Sequence, residues 1–102
     1  MAVNDHILLT ILAPPATEET LVDWLLEVES EYGFSSVPVS GHSSGHHGLS
    51  LLEQVTGRKQ QVRFEIHLPV AETQPLLQKL RADFQGAGLH YWVVPLMEWG
   101  HL

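Results

Sequence analysis

The chain has 102 residues, with 12 acidic and 5 basic side chains and a formal charge of −7 when its histidines are neutral. Hydrophobic residues make up 44% and charged ones 17%, which excludes a disordered chain and predicts one compact domain over residues 1–102. The acidic balance argues against nucleic acid and against an anionic membrane surface, and the lack of cysteine excludes disulfides, thiolate metal sites and a cysteine nucleophile.

The first apolar run, His6 to Ala13, is short and branched, and Pro14-Pro15 closes it. Both of its faces are apolar, which predicts an interior strand covered on two sides. A helix pattern follows from about Thr17 to Tyr32. Thr17 is placed to cap it, Glu18 and Glu19 suit the positive end of the helix dipole, and Leu21, Trp24, Leu25 and Val28 form one apolar stripe. Gly33 is its stop.

Phe34 to Val39 reads as a second strand. Residues 40–50, SGHSSGHHGLS, dissolve the pattern into a flexible loop that extends to about residue 60, with Gly57-Arg58-Lys59 as a turn. In the next strand Val62, Phe64, Ile66 and Leu68 alternate with Arg63, Glu65 and His67. A second helix is expected from about Ala71 to Phe84, burying Leu76, Leu77, Leu80 and Phe84, with Pro75 tolerated near the first turn and Gly86 beyond the end. Leu89 to Met97 reads as the last strand.

The order is βαββαβ, the split βαβ or ferredoxin-like plan of the α+β class: a four-stranded antiparallel sheet with two helices on one face. The other face would carry Arg63, Glu65 and His67 beside the apolar backs of the outer strands. Such a face suits association with further copies of the chain, although an antiparallel sheet can also leave one face in water. Charge is segregated along the chain. Residues 1–55 hold eight acids and no base, while all five bases lie from Arg58 onward. The acids of the first helix fit a solvated outer face, with an acidic docking surface as the alternative.

The chain has seven histidines, and three of them fall in six positions of the loop: His42, His46 and His47. Neutral imidazole is a common nitrogen ligand for Zn, Ni, Co and Cu, and it loses that role as it protonates below about pH 6.5. His42 and His46 share a face if the segment closes as one helical turn, whereas His46 and His47, being adjacent, diverge in regular structure. A structural zinc ion wants four ligands, so a fourth would come from Glu53, His90, water or another subunit. In a trimer, one histidine per chain on the threefold axis would supply three. The alternative is a set of polar loop residues bonded to water.

His67 reads as one partner of an ion pair on a strand face, and His90 as a hydrogen-bonded packing residue. His6 and His101 lie near the ends and tell little. Ser43, Ser44 and Ser50 lie near the histidines without a nucleophile elbow, and a loop offers little preorganisation, so no enzyme is expected. Arg58 and Lys59 could meet a phosphate alongside backbone amides, although Thr56-Gly57-Arg58-Lys59 reads first as a basic β-turn and is no P-loop. No apolar run approaches the roughly 20 residues that span a bilayer. The start, MAVNDHILL, lacks the basic region and cleavage site of a signal peptide, and a cytoplasmic protein is expected.

Together the βαββαβ order, the long connection between the second and third strands, and Gly57-Arg58-Lys59 just before the third resemble the PII-like superfamily of nitrogen regulatory proteins. The stretch from Gly41-His42 through Ser50-Leu51-Leu52-Glu53-Gln54-Val55-Thr56-Gly57-Arg58, with His90-Tyr91-Trp92-Val93 near the end, is similar to one small bacterial branch, often encoded beside heavy-metal efflux pumps of the resistance-nodulation-division type. The resemblance covers nearly the whole chain. It implies a homotrimer with sheets inward, helices outward and three projecting loops that touch a transporter or enzyme, with nucleotides held between subunits. The chain departs from the nucleotide-binding pattern after the second helix, where Gly86-Ala87-Gly88 holds no Lys or Arg, and histidines stand where PII loops carry a tyrosine. The readings that follow are a loop-bound transition metal that alters contact with a partner such as an efflux pump, a nucleotide or small-anion regulator using Arg58 and Lys59, or a purely structural trimer.

Overall fold

A computed structural model describes residues 5–28, 33–42 and 58–102. Four strands and two helices follow one another as β1 (His6–Ala13), α1 (Glu18–Val28), β2 (Phe34–His42), β3 (Arg58–Pro69), α2 (Val70–Phe84) and β4 (His90–Pro95). The sheet order is β2-β3-β1-β4, and each neighbouring pair is antiparallel. This is the expected α+β, ferredoxin-like arrangement. The most apolar strand, β1, lies inside the sheet, with β3 on one side and β4 on the other.

Alternation assigns the two faces. Ile7, Leu9, Ile11 and Ala13 of β1 and Val62, Phe64, Ile66 and Leu68 of β3 are buried against Leu21 and Leu25 of α1 and Leu76, Leu77 and Leu80 of α2. Val22, Trp24, Val28, Phe34, Phe84 and Leu89 pack around them. The stripes read from the two helices are therefore the ones that face the core, because spacings of three and four residues return to the same side of a helix.

Several boundaries differ from expectation. Thr17 does not cap α1. It lies in a 3-10 turn, Pro15–Thr17, where its N–H donates to the Pro14 carbonyl at 2.9 Å. The prolines fix φ near the value such a turn needs, so the chain tightens before the helix begins. Pro75 is the sixth residue of α2 rather than part of its first turn, so the Ala71 carbonyl lacks the N–H it would otherwise receive. β4 is shorter than the apolar run that announced it and ends at Pro95. Gly86 and Gly88 make the turn before it, with φ of 81° and 78°; a residue with a Cβ would be strained at either.

The largest difference is the reach of β2 and β3. Both continue past the core, pairing Val39 with Gln61, Ser40 with Gln60, Gly41 with Lys59 and His42 with Arg58. Arg58 and Lys59 thus belong to a strand and not to a turn; of the loop expected at 40–60, residues 40–42 and 58–60 are strand, and residues 43–57 lie outside the described residues. Among the described residues no helix is long and apolar enough to cross a membrane.

Candidate functional site

Paired residues share a face, which places the candidates. His42 and Arg58 end the β2–β3 ribbon as an exposed pair, four residues beyond the core rung Pro38–Val62. Lys59 is adjacent to Arg58 in an extended strand, so the two side chains leave opposite faces and do not form one cationic cradle. His90 opens β4 opposite Leu12, which in turn faces Arg63. It is exposed rather than packed. His42 and His90 therefore lie on opposite faces, separated by five rungs and three strand spacings, on the order of 20 Å within one protomer. His46, His47 and Glu53 lie outside the described residues, as do Ser43, Ser44 and Ser50. Among the described residues no group of three or more potential ligands converges on a metal position.

The open face carries Leu8, Thr10 and Leu12 of β1, flanked by Trp92 and Val94 of β4 and by Arg63, Glu65 and His67 of β3. The mixed apolar and charged surface expected from alternation is present. Trp92 is 46% exposed and Val94 41%, and β4 is also the outer strand on its side of the sheet. An apolar face bordered by the end strand of a sheet is a surface suited to pairing with another chain.

Two further arrangements were not anticipated. The first is a hollow of about 430 Å³ between the end of α2 and the start of β4, lined by Leu80, Arg81, Phe84, Gln85, Gly86, Gly88, Leu89 and Tyr91. Its size is that of a small-molecule pocket. Arg81 brings a cation there from the last turn of α2, and it donates to the Tyr91 hydroxyl from Nε at 3.2 Å and from Nη2 at 3.0 Å. The Gly86-Ala87-Gly88 turn has no basic residue of its own; the neighbouring helix supplies one. A helical side chain one turn before the glycines was the available signal.

The second arrangement joins the chain's ends to the sheet. His6 and His67 meet on the open face with Nδ1 of one 2.7 Å from Nε2 of the other. The Trp99 ring lies over His6 at 4.1 Å between centroids and presents its edge to His67 at 5.0 Å. The imidazole of His6 is a partner of His67 that the sequence, which pointed to an ion pair on the strand face, did not reveal. Burial, and then the nearby His6 and His101, hold its pKa below the ordinary imidazole value.

Comparison with known proteins agrees with this geometry. The model of a family described as protein of unknown function (DUF3240) matches residues 3–102. The crystal structure of a DUF3240 family protein from Shewanella baltica superposes with a TM-score of 0.77 at 27% identity, covering 100% of this chain and 99% of that one. CPII, a nitrogen regulatory PII-like protein from Thiomonas intermedia bound to ADP, AMP and bicarbonate, gives 0.70 at 19% identity over 95% and 96% of the two chains. CutA from Synechococcus elongatus gives 0.70 at 14% identity over 95% and 81%. The last two likenesses are of fold. No curated protein matches the chain.

Proposed function

We propose that this chain, which belongs to the DUF3240 family, is a PII-like regulatory protein that acts in the cytoplasm through assembly, ligand binding and contact with a partner rather than through catalysis. The observation that carries the reading is the β2–β3 ribbon. It runs four rungs beyond the core and ends with His42 opposite Arg58, beside the segment that contains His46, His47 and Glu53. A ribbon anchored in a packed sheet at one end and free of the core at the other can carry a ligand signal outward without unfolding the domain.

In this reading a divalent ion (Zn, Ni, Co or Cu) binds His42, His46 and His47, with Glu53, water or a residue of another copy completing the shell. His90 lies too far from His42 to join it within one protomer, so it serves only as a ligand from a neighbouring copy. The open face, with Leu8, Leu12, Trp92 and Val94, is the surface of self-association, and a homotrimer is the proposed assembly. The partner is a membrane transporter, a heavy-metal efflux component in the first instance, touched by the ribbon end.

A second reading is favoured by the Arg81 hollow: regulation by a small anion or nucleotide. The fold is that of a protein solved with ADP, AMP and bicarbonate, and Arg81 and Tyr91 line a concave surface of suitable size. Arg58 and Lys59, facing opposite ways, suit that role less well than Arg81.

Calorimetric titration of the tag-free protein with the four metals, and then with ATP, ADP and AMP, separates the readings. Metal heat abolished by His42→Ala together with His46→Ala supports the first. Nucleotide heat lost in Arg81→Ala supports the second. Silence in both series removes both and leaves a structural assembly.

A further inference from the structure

The last residues of the chain fold back over one corner of the open face. The Leu96 N–H donates to the His6 carbonyl at 3.0 Å. The Trp99 ring covers the His6 imidazole, leaving His6 only 6% exposed. The Trp99 indole N–H points to Asp5 Oδ1 at 3.4 Å, and the His101 ring lies 6.3 Å from the Trp99 ring, edge to face. Beneath this segment lies the His6–His67 contact, which joins β1 to β3 between side chains 61 positions apart.

We propose that the His6–His67 pair is a proton-operated latch for residues 96–102: it holds the segment on the open face while one of the two facing nitrogens is bare, and releases it when both carry protons. The argument is one of donors and acceptors. At 2.7 Å the two ring nitrogens share a single proton, so whichever ring donates, the other must keep its facing nitrogen unprotonated. A first added proton goes to the outward nitrogen of the donating ring. It leaves the contact in place and makes it charge-assisted. A second must go to the accepting nitrogen itself. Two N–H groups and two positive charges then face each other with no acceptor between them, and the rings must part.

Trp99 rests on both rings, so their separation removes its seat. Charged and titratable groups among the described residues stand around the pair. Asp5 accepts from the Trp99 indole N–H, Glu65 shares the open face two residues before His67, and Glu98 adjoins Trp99. None of these carboxylates lies between the two nitrogens, which are 2.7 Å apart. His101 adds repulsion against the second proton. Burial of His67 opposes it as well.

Hydrogen exchange of the Leu96 amide reports the latch directly, because that amide is the segment's first bond to β1. Exchange is measured in EDTA at about pH 7.5 and about pH 5, on either side of the imidazole range, and corrected for the intrinsic pH dependence of the rate. We expect Leu96 protection to fall by about tenfold or more at the lower pH while the Leu9 amide in the core stays protected. In His67→Asn, whose amide can still bond His6 but does not titrate in this range, the fall should shrink or vanish. Equal Leu96 protection at the two pH values, loss of Leu9 and Leu96 protection together, or an unchanged fall in His67→Asn would each overturn the proposal.

Discussion

Arg81 and Tyr91 face each other across the turn that joins α2 to β4. Two guanidinium nitrogens reach one phenolic oxygen at 3.2 and 3.0 Å, and the guanidinium carbon lies 5.8 Å from the ring centroid. Tyr91 is 39% exposed, so water competes for both groups. Tyr91→Phe should therefore cost less than about 1 kcal/mol in urea denaturation. It should also leave the cation free for an anionic ligand, so nucleotide heat, where present, persists in Tyr91→Phe and disappears in Arg81→Ala. A denaturation loss well above that figure would mean that the pair pins the strand to the helix.

Trp92 and Val94 project from β4 onto the same face as Thr10 and Leu8, their partners in the ladder. Water-exposed apolar groups of this size are stable on a single protomer only at a cost, which burial against another copy removes at roughly 25 cal/mol per Å². If the protein self-associates through this face as proposed, Trp92→Lys combined with Val94→Lys should yield monomers with unchanged far-UV circular dichroism. Analytical ultracentrifugation reads the outcome. An oligomer that survives both lysines would move the interface off this face.

Trp24 links the two helices by its indole N–H, which donates to Asp83 Oδ2 at 2.7 Å, and by its ring, which meets Phe84 edge-on at 5.4 Å. Trp24→Phe removes the bond and much of the ring contact while keeping an apolar side chain. We expect a loss of about 1 to 2 kcal/mol, since a hydrogen bond to a charged group contributes more than a neutral one but this one is exposed. Asp83→Asn should lose less, because its amide oxygen still accepts. The reverse ranking in chemical denaturation would refute the assignment.

The parts of the fold that were legible are those governed by local periodicity. Alternation in β3 and the stripe Leu21–Trp24–Leu25–Val28 repeat within a few residues and point to one core. The extension of the ribbon was not legible, because Ser40-Gly41-His42 and Arg58-Lys59-Gln60 have loop composition. What keeps them extended is the backbone ladder with each other, and no property of either segment alone encodes it. The Thr17 cap failed for a nearby reason: two prolines impose a tight turn before any side chain can cap. His6, His67, Trp99 and His101 come from both ends and the middle of the chain. Once β1 and β3 are paired antiparallel, the register puts His6 and His67 on one face, but their contact needs the fold first. The loop histidines show the opposite limit, where composition suggested ligands and only His42 has a described position.

The metal reading makes its own prediction about number. His42→Ala alone should weaken Zn or Ni binding by about tenfold to a hundredfold if His46 and His47 remain, since each lost ligand lowers affinity without abolishing it. The double variant His42→Ala, His46→Ala should bind no better than a peptide with one imidazole. His90→Ala should leave the affinity of a monomeric variant unchanged. Competition against a chromophoric chelator measures all three. Equal affinities of the wild-type and double-variant proteins would remove the ribbon end as the site.

Stability against pH tests His67 in a different way. Its imidazole sits below its ordinary pKa in the folded protein, through burial first and then through His6 and His101. The unfolded chain therefore takes up this proton at a higher pH than the folded one. Between the ordinary value near 6.5 and the lower folded value, the unfolded state binds more protons, and stability falls as pH falls. Above about pH 7 the contribution of His67 is fully present and flat. The urea midpoint of the wild-type protein should hold steady from about pH 8 to 7 and then decline below about 6.5, with an unchanged slope m. In His67→Asn the decline over the same interval should be shallower, because the amide does not titrate there. A wild-type midpoint that rises on acidification would mean that the charge-assisted His6–His67 bond formed by the first proton outweighs the burial that lowers the pKa of His67.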